Sequence, residues 1–172
     1  KIEIYKKAAD KFDCAAAKYN MAVTYIQMNE LAKASSVLEG LAKDSDWYNA
    51  MGVIALRKDD LAKASEYFTK ANNKTAKENA AVVDVLNGKY ADAAAKLAGV
   101  ESYNAALVQL LLGNNAPAAA LKCQCPNAAY LRAVAAARQG NAEAVKTNLE
   151  AAGKCEKLAA RAEKDVEFAQ YR

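Results

Sequence analysis

In a chain of 172 residues the apolar fraction of 53% is carried largely by alanine, which favours close-packed helices over a sheet because it has high helix propensity and little side chain. The net charge of +4 comes from lysines alternating with acids, a pattern of solvated helix faces that offers no basic, aromatic-interleaved cluster for nucleic acid. No run approaches the ~18–20 apolar residues of a membrane span, and the absence of histidine excludes every Ser-His or Cys-His nucleophile.

In chain order, IEIYKKAA at residues 2–9 reads as the back half of a helix, similar to SEYFTKAN at 65–72. Residues 1–13 are therefore expected to be the C-terminal part of an incomplete upstream repeat. Residues 14–153 then divide on their turns. The turn residues are Asn29, Asp59, Gly88, Gly113 and Gly140, at spacings of 30, 29, 25 and 27. Seven residues before each turn stands a small residue: Ala22, Gly52, Ala81, Ala106 or Ala133. Five after it stands Ala34, Ala64, Ala93, Ala118 or Val145. Small side chains at both places let two helices of a unit approach closely. Larger residues, Leu38, Phe68, Leu97 and Leu149, follow nine after the turn, with Lys122 the exception. The fourth unit is the least faithful. Its second helix carries Pro117, which fits only in a first turn, and is expected to be short and to end before Pro126. Residues 154–172 are read as a capping helix, with Leu158, Ala162, Val166 and Ala169 on one apolar face.

The best-formed unit runs from Trp47 to Asn73, WYNAMGVIALRKDDLAKASEYFTKANN. Its order of aromatic, small residue, turn, small residue and aromatic resembles the tetratricopeptide repeat (TPR), a helix-turn-helix unit that stacks into a solenoid. The resemblance covers five units, shorter than the roughly 34 residues usual in the family. It implies an all-α fold, a right-handed α-solenoid of five antiparallel helix pairs. It also implies a non-catalytic scaffold that binds a protein or peptide segment on the concave face of the first helices. No cofactor, metal or catalytic residue is expected, nor nucleic acid or membrane insertion, and the chain is expected to be monomeric.

In several peptide-binding members of the family, asparagines nine residues before the turn form a ladder that holds the ligand backbone. Asn20, Asn79 and Asn104 stand at this place, and Asn49 is displaced by one. The amide offers both a donor and an acceptor to a peptide group; the same asparagines could instead bond neighbouring helices. One position earlier stand Tyr19, Tyr103 and Tyr130, which would add amphipathic contact area. Six before each turn lies Val23, Val53, Val82, Leu107 or Val134, and three before it Ile26, Leu56, Val85, Leu110 or Ala137. These form either an open apolar stripe, the mark of a binding surface, or a stripe buried against the next unit. An alternative function is a structural spacer or docking domain. Short Ala/Asn/Lys-rich repeats resemble those joined to other modules in bacterial cell-envelope proteins, which implies an envelope location.

The cysteines, Cys14, Cys123, Cys125 and Cys155, form no zinc or CxxC pattern. They are read first as small buried apolar residues. A disulfide stays open, its pairing unassigned, as does a redox or soft-metal role for the close pair Cys123-Gln-Cys125.

Overall fold

Five left-handed residues set the course of the chain. Asn29 (φ 61°), Asp59 (φ 62°), Gly88 (φ 73°), Gly113 (φ 89°) and Gly140 (φ 73°) each follow a helix and reverse it. The left-handed region favours glycine and tolerates Asn and Asp, whose short polar side chains bond locally. At four of these turns the next amide donates across the turn to the carbonyl five residues back: Glu30 to Tyr25 (2.9 Å), Asp60 to Ala55 (3.0 Å), Asn114 to Gln109 (2.8 Å) and Asn141 to Ala136 (3.0 Å). This Schellman closure satisfies carbonyls that a helix end leaves unpaired.

The computed structural model describes residues 1–12 and 14–172. The expected boundary at residue 13 lies outside them. Between the turns, the described residues form α1 (Ile2–Phe12), α2 (Ala15–Gln27), α3 (Leu31–Glu39), α4 (Ser45–Arg57), α5 (Leu61–Ala71) and α6 (Lys74–Leu86). There follow α7 (Tyr90–Lys96), α8 (Tyr103–Leu111), α9 (Ala116–Ala119), α10 (Pro126–Arg138), α11 (Ala142–Ala152), α12 (Glu156–Ala162) and a 3-10 helix (Val166–Tyr171), with no strand. The chain divides into two compact units, Lys1–Asn87 and Gly88–Arg172. The division falls at the third left-handed turn, inside a unit that the repeat spacing treats as one pair.

Side chains cap the helix starts. Asp44 accepts from the Trp47 amide (2.8 Å), Asp60 from Lys63 (3.1 Å), Asn73 from Ala76 (2.7 Å), Ser102 from Ala105 (3.2 Å) and Asn141 from Ala144 (3.0 Å). Each such cap is worth about 1 kcal/mol. Asn73 also donates to the Ser45 hydroxyl (2.9 Å), which donates to the Ala71 carbonyl. The start of α4 is thereby tied to the loop between α5 and α6.

In the first unit α2 packs on α3 and α4 on α5, while α4 also touches α2 and α6. The small residues seven before and five after the turns are all buried. At Gly52 the approach is closest: a Cβ built there would meet Phe68 Cε1 at 2.5 Å and Cδ1 at 2.6 Å. Trp47 closes the neighbouring cluster, its indole N–H donating to the Leu38 carbonyl (2.9 Å). Its ring lies edge-on to Tyr48 (centroids 5.1 Å apart) and Tyr67 (6.1 Å).

The second unit is centred on α10, which is buried along most of its length between α8, α9 and α11. Helix α9 is a single turn with Pro117 in it, as the composition of the fourth unit implied. The expected capping helix requires correction, because it breaks after Ala162 and resumes as the 3-10 helix. Asp165 is extended there and its carboxylate accepts from the Glu167 amide (3.1 Å) and the Tyr130 hydroxyl (2.5 Å). The tighter 3-10 winding changes the inward face. Phe168 goes in (1% exposed), edge-on to Tyr130 at 5.6 Å, and Val166 is left 84% exposed. Arg138 fastens the segment by donating to Glu167 (2.9 Å) and to the Leu110 carbonyl (2.7 Å), and the Tyr171 hydroxyl donates to the Ala137 carbonyl (2.9 Å).

Two outcomes test this packing. Gly52→Ala should destabilise the first unit by ~1–3 kcal/mol, as overpacking does, and Gly52→Leu by more. Gly40→Ala, where a Cβ meets nothing within 4 Å, should stay within about 0.5 kcal/mol of wild type. Urea melts read both, and equal midpoints for Gly52→Ala and Gly40→Ala would refute the close contact. The second outcome concerns Tyr130, whose hydroxyl is pushed up from 10.0 to about 12, by burial first and then by its hydrogen bond to Asp165 and that residue's charge. A folded value above the unfolded one means that neutral Tyr130 supports the fold fully below pH 10. That support is lost as pH rises from 10 towards 12. Melting temperature followed over this window should fall more steeply for wild type than for Tyr130→Phe.

Candidate functional site

The first helices carry the predicted positions, and the structure treats them unequally. In the first unit Tyr19 and Asn20 line a cleft of about 310 Å³ between α2 and the segment entering α4, with Leu41, Asp44, Asp46 and Trp47 opposite. Burial, then the carboxylates of Asp46 and Asp44, push the Tyr19 hydroxyl up, so it remains a neutral donor and acceptor. Asn20 is exposed, and its main-chain carbonyl accepts from Thr24 Oγ1 (2.8 Å). Lys43 lies 5.5 Å from the centre of the Trp47 ring, marking a place where a cation meets the aromatic wall.

Asn49 and Asn79 are brought together on α4 and α6. The Asn79 amide nitrogen donates to the Asn49 oxygen at 3.0 Å, although Asn49 is a residue out of step with its counterparts. One carboxamide side chain spans that offset. The bond uses one N–H of Asn79 and one lone pair of Asn49. An amide has two donors and two acceptor sites, so the Asn49 NH₂ and the Asn79 oxygen keep capacity for a further partner. Val23, Val53 and Val82 are half-buried, and Val53 packs against both clusters of the first unit's core. Of the positions three before the turns, Ile26 is buried, and Leu56 and Val85 are half-buried like the valines. Tyr48 precedes Asn49 and shares its one-residue offset, and its ring stands 6.4 Å from that of Tyr67, with Lys70 over Tyr48 at 5.9 Å. Tyr67 sits beside the core residue Phe68, off the apolar stripe, so periodicity gave no signal for it.

In the second unit Tyr103, 37% exposed, lines a larger cleft of about 660 Å³ between the loop Ala98–Ser102, α8 and the chain that follows α9. Burial raises its hydroxyl pKa, offset in part by the charge of Arg161. Asn104 and Leu107 are half-buried, and Leu107 packs on the α10 core. Tyr130 is not a surface residue: Phe168 and Asp165 cover it, leaving 4% exposed. The guanidinium of Arg161 also lies 5.2 Å from the Tyr130 ring centre. Val134, Leu110 and Ala137 are buried as well, so the stripe is core here.

The two clefts are equivalent in the repeat. Each lies between the start of a first helix and the segment that leaves its pair for the next, and each has the tyrosine ten residues before the turn in its wall. The second is wider because α9 offers four residues where α3 offers nine.

The reading of the cysteines as buried apolar residues is overturned. Cys14, Cys125 and Cys155 are half-buried and Cys123 is exposed. Cys14, Cys125 and Cys155 are N-caps of α2, α10 and α12, where the chain enters a helix at the periphery of the core. Cys123 and Cys125 are joined in a disulfide, and Cys14 and Cys155 are free. Among the described residues no group of three or more His, Cys, Asp or Glu is placed to hold a metal ion. No described helix is long and apolar enough to cross a membrane.

No family model matches the chain, and no curated protein matches it in sequence. Among solved structures it is similar to YrrB, whose crystal structure is described as that of a TPR protein with an unusual peptide-binding site. The match covers 96% of this chain and all of that one, with a TM-score of 0.55 and 20% sequence identity. At that identity the likeness speaks for architecture. The chain is an all-α helical-repeat protein of the TPR type in its fold.

Proposed function

We propose that the protein is a non-catalytic scaffold that binds a peptide or protein segment along the faces of its first helices. The observation that supports this most is the repeated cleft, in which Tyr19 in one unit and Tyr103 in the other occupy the same repeat position. Volumes of this order suit one or a few side chains, and tyrosine gives large contact area at low entropic cost. The half-used amides of Asn49 and Asn79 would pair with a ligand's backbone, and Val23, Val53, Val82 and Leu107 would supply apolar contact beside them. Asn20 and Asn104 complete the set of polar contacts. In the first unit Asp44 and Asp46 beside Tyr19 favour a ligand segment bearing lysine or arginine, a charge preference that weakens with salt. The peptide-binding site named for YrrB is in keeping with this reading.

A phage-displayed peptide library panned on the full chain, followed by fluorescence anisotropy on the selected peptides, tests it. Tyr19→Ala or Asn49→Ala should weaken a peptide held by the first unit about tenfold, equivalent to ~1.4 kcal/mol. Selected peptides whose binding Tyr19→Ala weakens should carry basic residues and bind more weakly in high salt. Failure to select any peptide, or affinities indifferent to Tyr19, Asn49, Asn79 and Tyr103, would count against the proposal.

A further inference from the structure

We propose that the Cys123–Cys125 disulfide is a thiol–disulfide exchange centre, which oxidises cysteine pairs in segments seated in the Tyr103 cleft. The bond joins residues two apart in sequence, so it staples no distant parts of the chain. The loop-closure stabilisation of a structural disulfide grows with loop length, and a ring this small offers little of it. Its position suits reaction better: Cys123 is exposed and forms part of the wall of the 660 Å³ cleft. A disulfide that is reachable by an incoming thiolate is the labile kind.

The two sulfurs are not equivalent. Cys123 is the accessible one, and Cys125 is the N-cap of α10, a helix of 13 residues with Pro126 in its first turn. The positive end of a helix dipole favours negative charge on a sulfur held there. The loop between them is held from the side: Arg132 donates to the carbonyls of Leu121 (2.9 Å) and Cys123 (2.8 Å), and to Asn148 (2.8 Å). The Cys125 amide points at Cys123 Sγ (3.3 Å), supplying a donor to that sulfur when it in turn becomes a thiolate. Attack is thus directed to Cys123, with Cys125 as leaving group.

The step balances without another reagent. A substrate thiolate attacks Cys123 Sγ; the Cys123–Cys125 bond breaks, and its electron pair leaves on Cys125, which takes up a proton. The second thiolate of the substrate attacks the substrate sulfur of the mixed disulfide. Cys123 leaves with the electron pair and is protonated. Two electrons and two protons pass from the substrate dithiol to the protein, and the substrate keeps the new disulfide.

The exchange chemistry stands apart from the peptide-binding proposal, and only the selection of substrate by the cleft rests on it. The test therefore uses two probes on the oxidised full chain in a Cys14→Ser/Cys155→Ser background, with circular dichroism confirming the fold of each variant. One probe is reduced dithiothreitol; the other is a reduced synthetic peptide with two cysteines spaced by two residues and flanked by leucines. Both should be oxidised with the appearance of two protein thiols. The rate should be at least about tenfold above that with Cys123→Ser/Cys125→Ser added. Reduced glutathione, a monothiol, quenched with acid and N-ethylmaleimide, should be recovered as a mixed disulfide about tenfold more often on Cys123 than on Cys125, as read by mass spectrometry of peptide digests. Tyr103→Ala should slow oxidation of the peptide and leave dithiothreitol unaffected. A mixed disulfide shared equally between Cys123 and Cys125, or no oxidation of dithiothreitol above the serine control, would overturn the exchange centre. Loss of the Tyr103 effect, with dithiothreitol still oxidised, would remove only the cleft from the proposal. Anisotropy with a cysteine-free version of the peptide reports separately on binding.

Discussion

At Gly52 the ring of Phe68 occupies the space that a Cβ would need, and the matching positions elsewhere, Ala22, Ala81, Ala106 and Ala133, are buried alanines. A helix pair held that close gains its stability from many small dispersion contacts rather than from a few large side chains. That explains an alanine-rich composition which would otherwise look too poor in bulk to build a core. The constraint also reaches into the turns. Helices this close need a tight reversal between them, and the left-handed residues with their Schellman bonds provide it at low cost. Turn and small-residue contact depend on each other, since a longer loop would not hold the register that brings Ala or Gly to the crossing point.

The clefts follow from departures from this regularity. Where α9 shrinks to one turn, the space a longer second helix would have occupied opens as the Tyr103 cleft. Where the chain supplies another element after α11, Phe168 and Asp165 close over Tyr130. The same tyrosine position is therefore open in two places and filled in a third. What fills it, an aromatic side chain with a carboxylate on the hydroxyl, is itself a sample of chemistry this position accepts. The local charges then differentiate the open ones, with Asp44 and Asp46 beside Tyr19, and Arg161 near Tyr103.

Much of the fold was legible because the signals are local. All five turn residues have positive φ, and the nine positions read as small are buried, as is Val145 at the tenth; both properties belong to residue type at a fixed offset. The short fourth second helix was legible for the same reason, since it has to begin with Pro117 in its first turn and end before Pro126. The C-terminal helix misled, because a 3.6-residue period was assumed through a stretch that Asp165 interrupts, and period is only as good as the winding it presumes. The cysteines misled because their type is usually buried, whereas three of them are N-caps.

The candidate site was legible only as a set of offsets. Residue type and spacing determined that tyrosines and asparagines would recur on the first helices, and with that the helical-repeat class of the chain. They could not determine which of these reach solvent. That Asn49 meets Asn79, that Tyr130 is covered while Tyr19 and Tyr103 are not, and that Cys123 lies at a cleft were decided by tertiary structure. The physical reason is that exposure and pairing depend on what a neighbouring element places within a few ångströms. That element lies tens of residues away along the chain, so no local pattern carries the information.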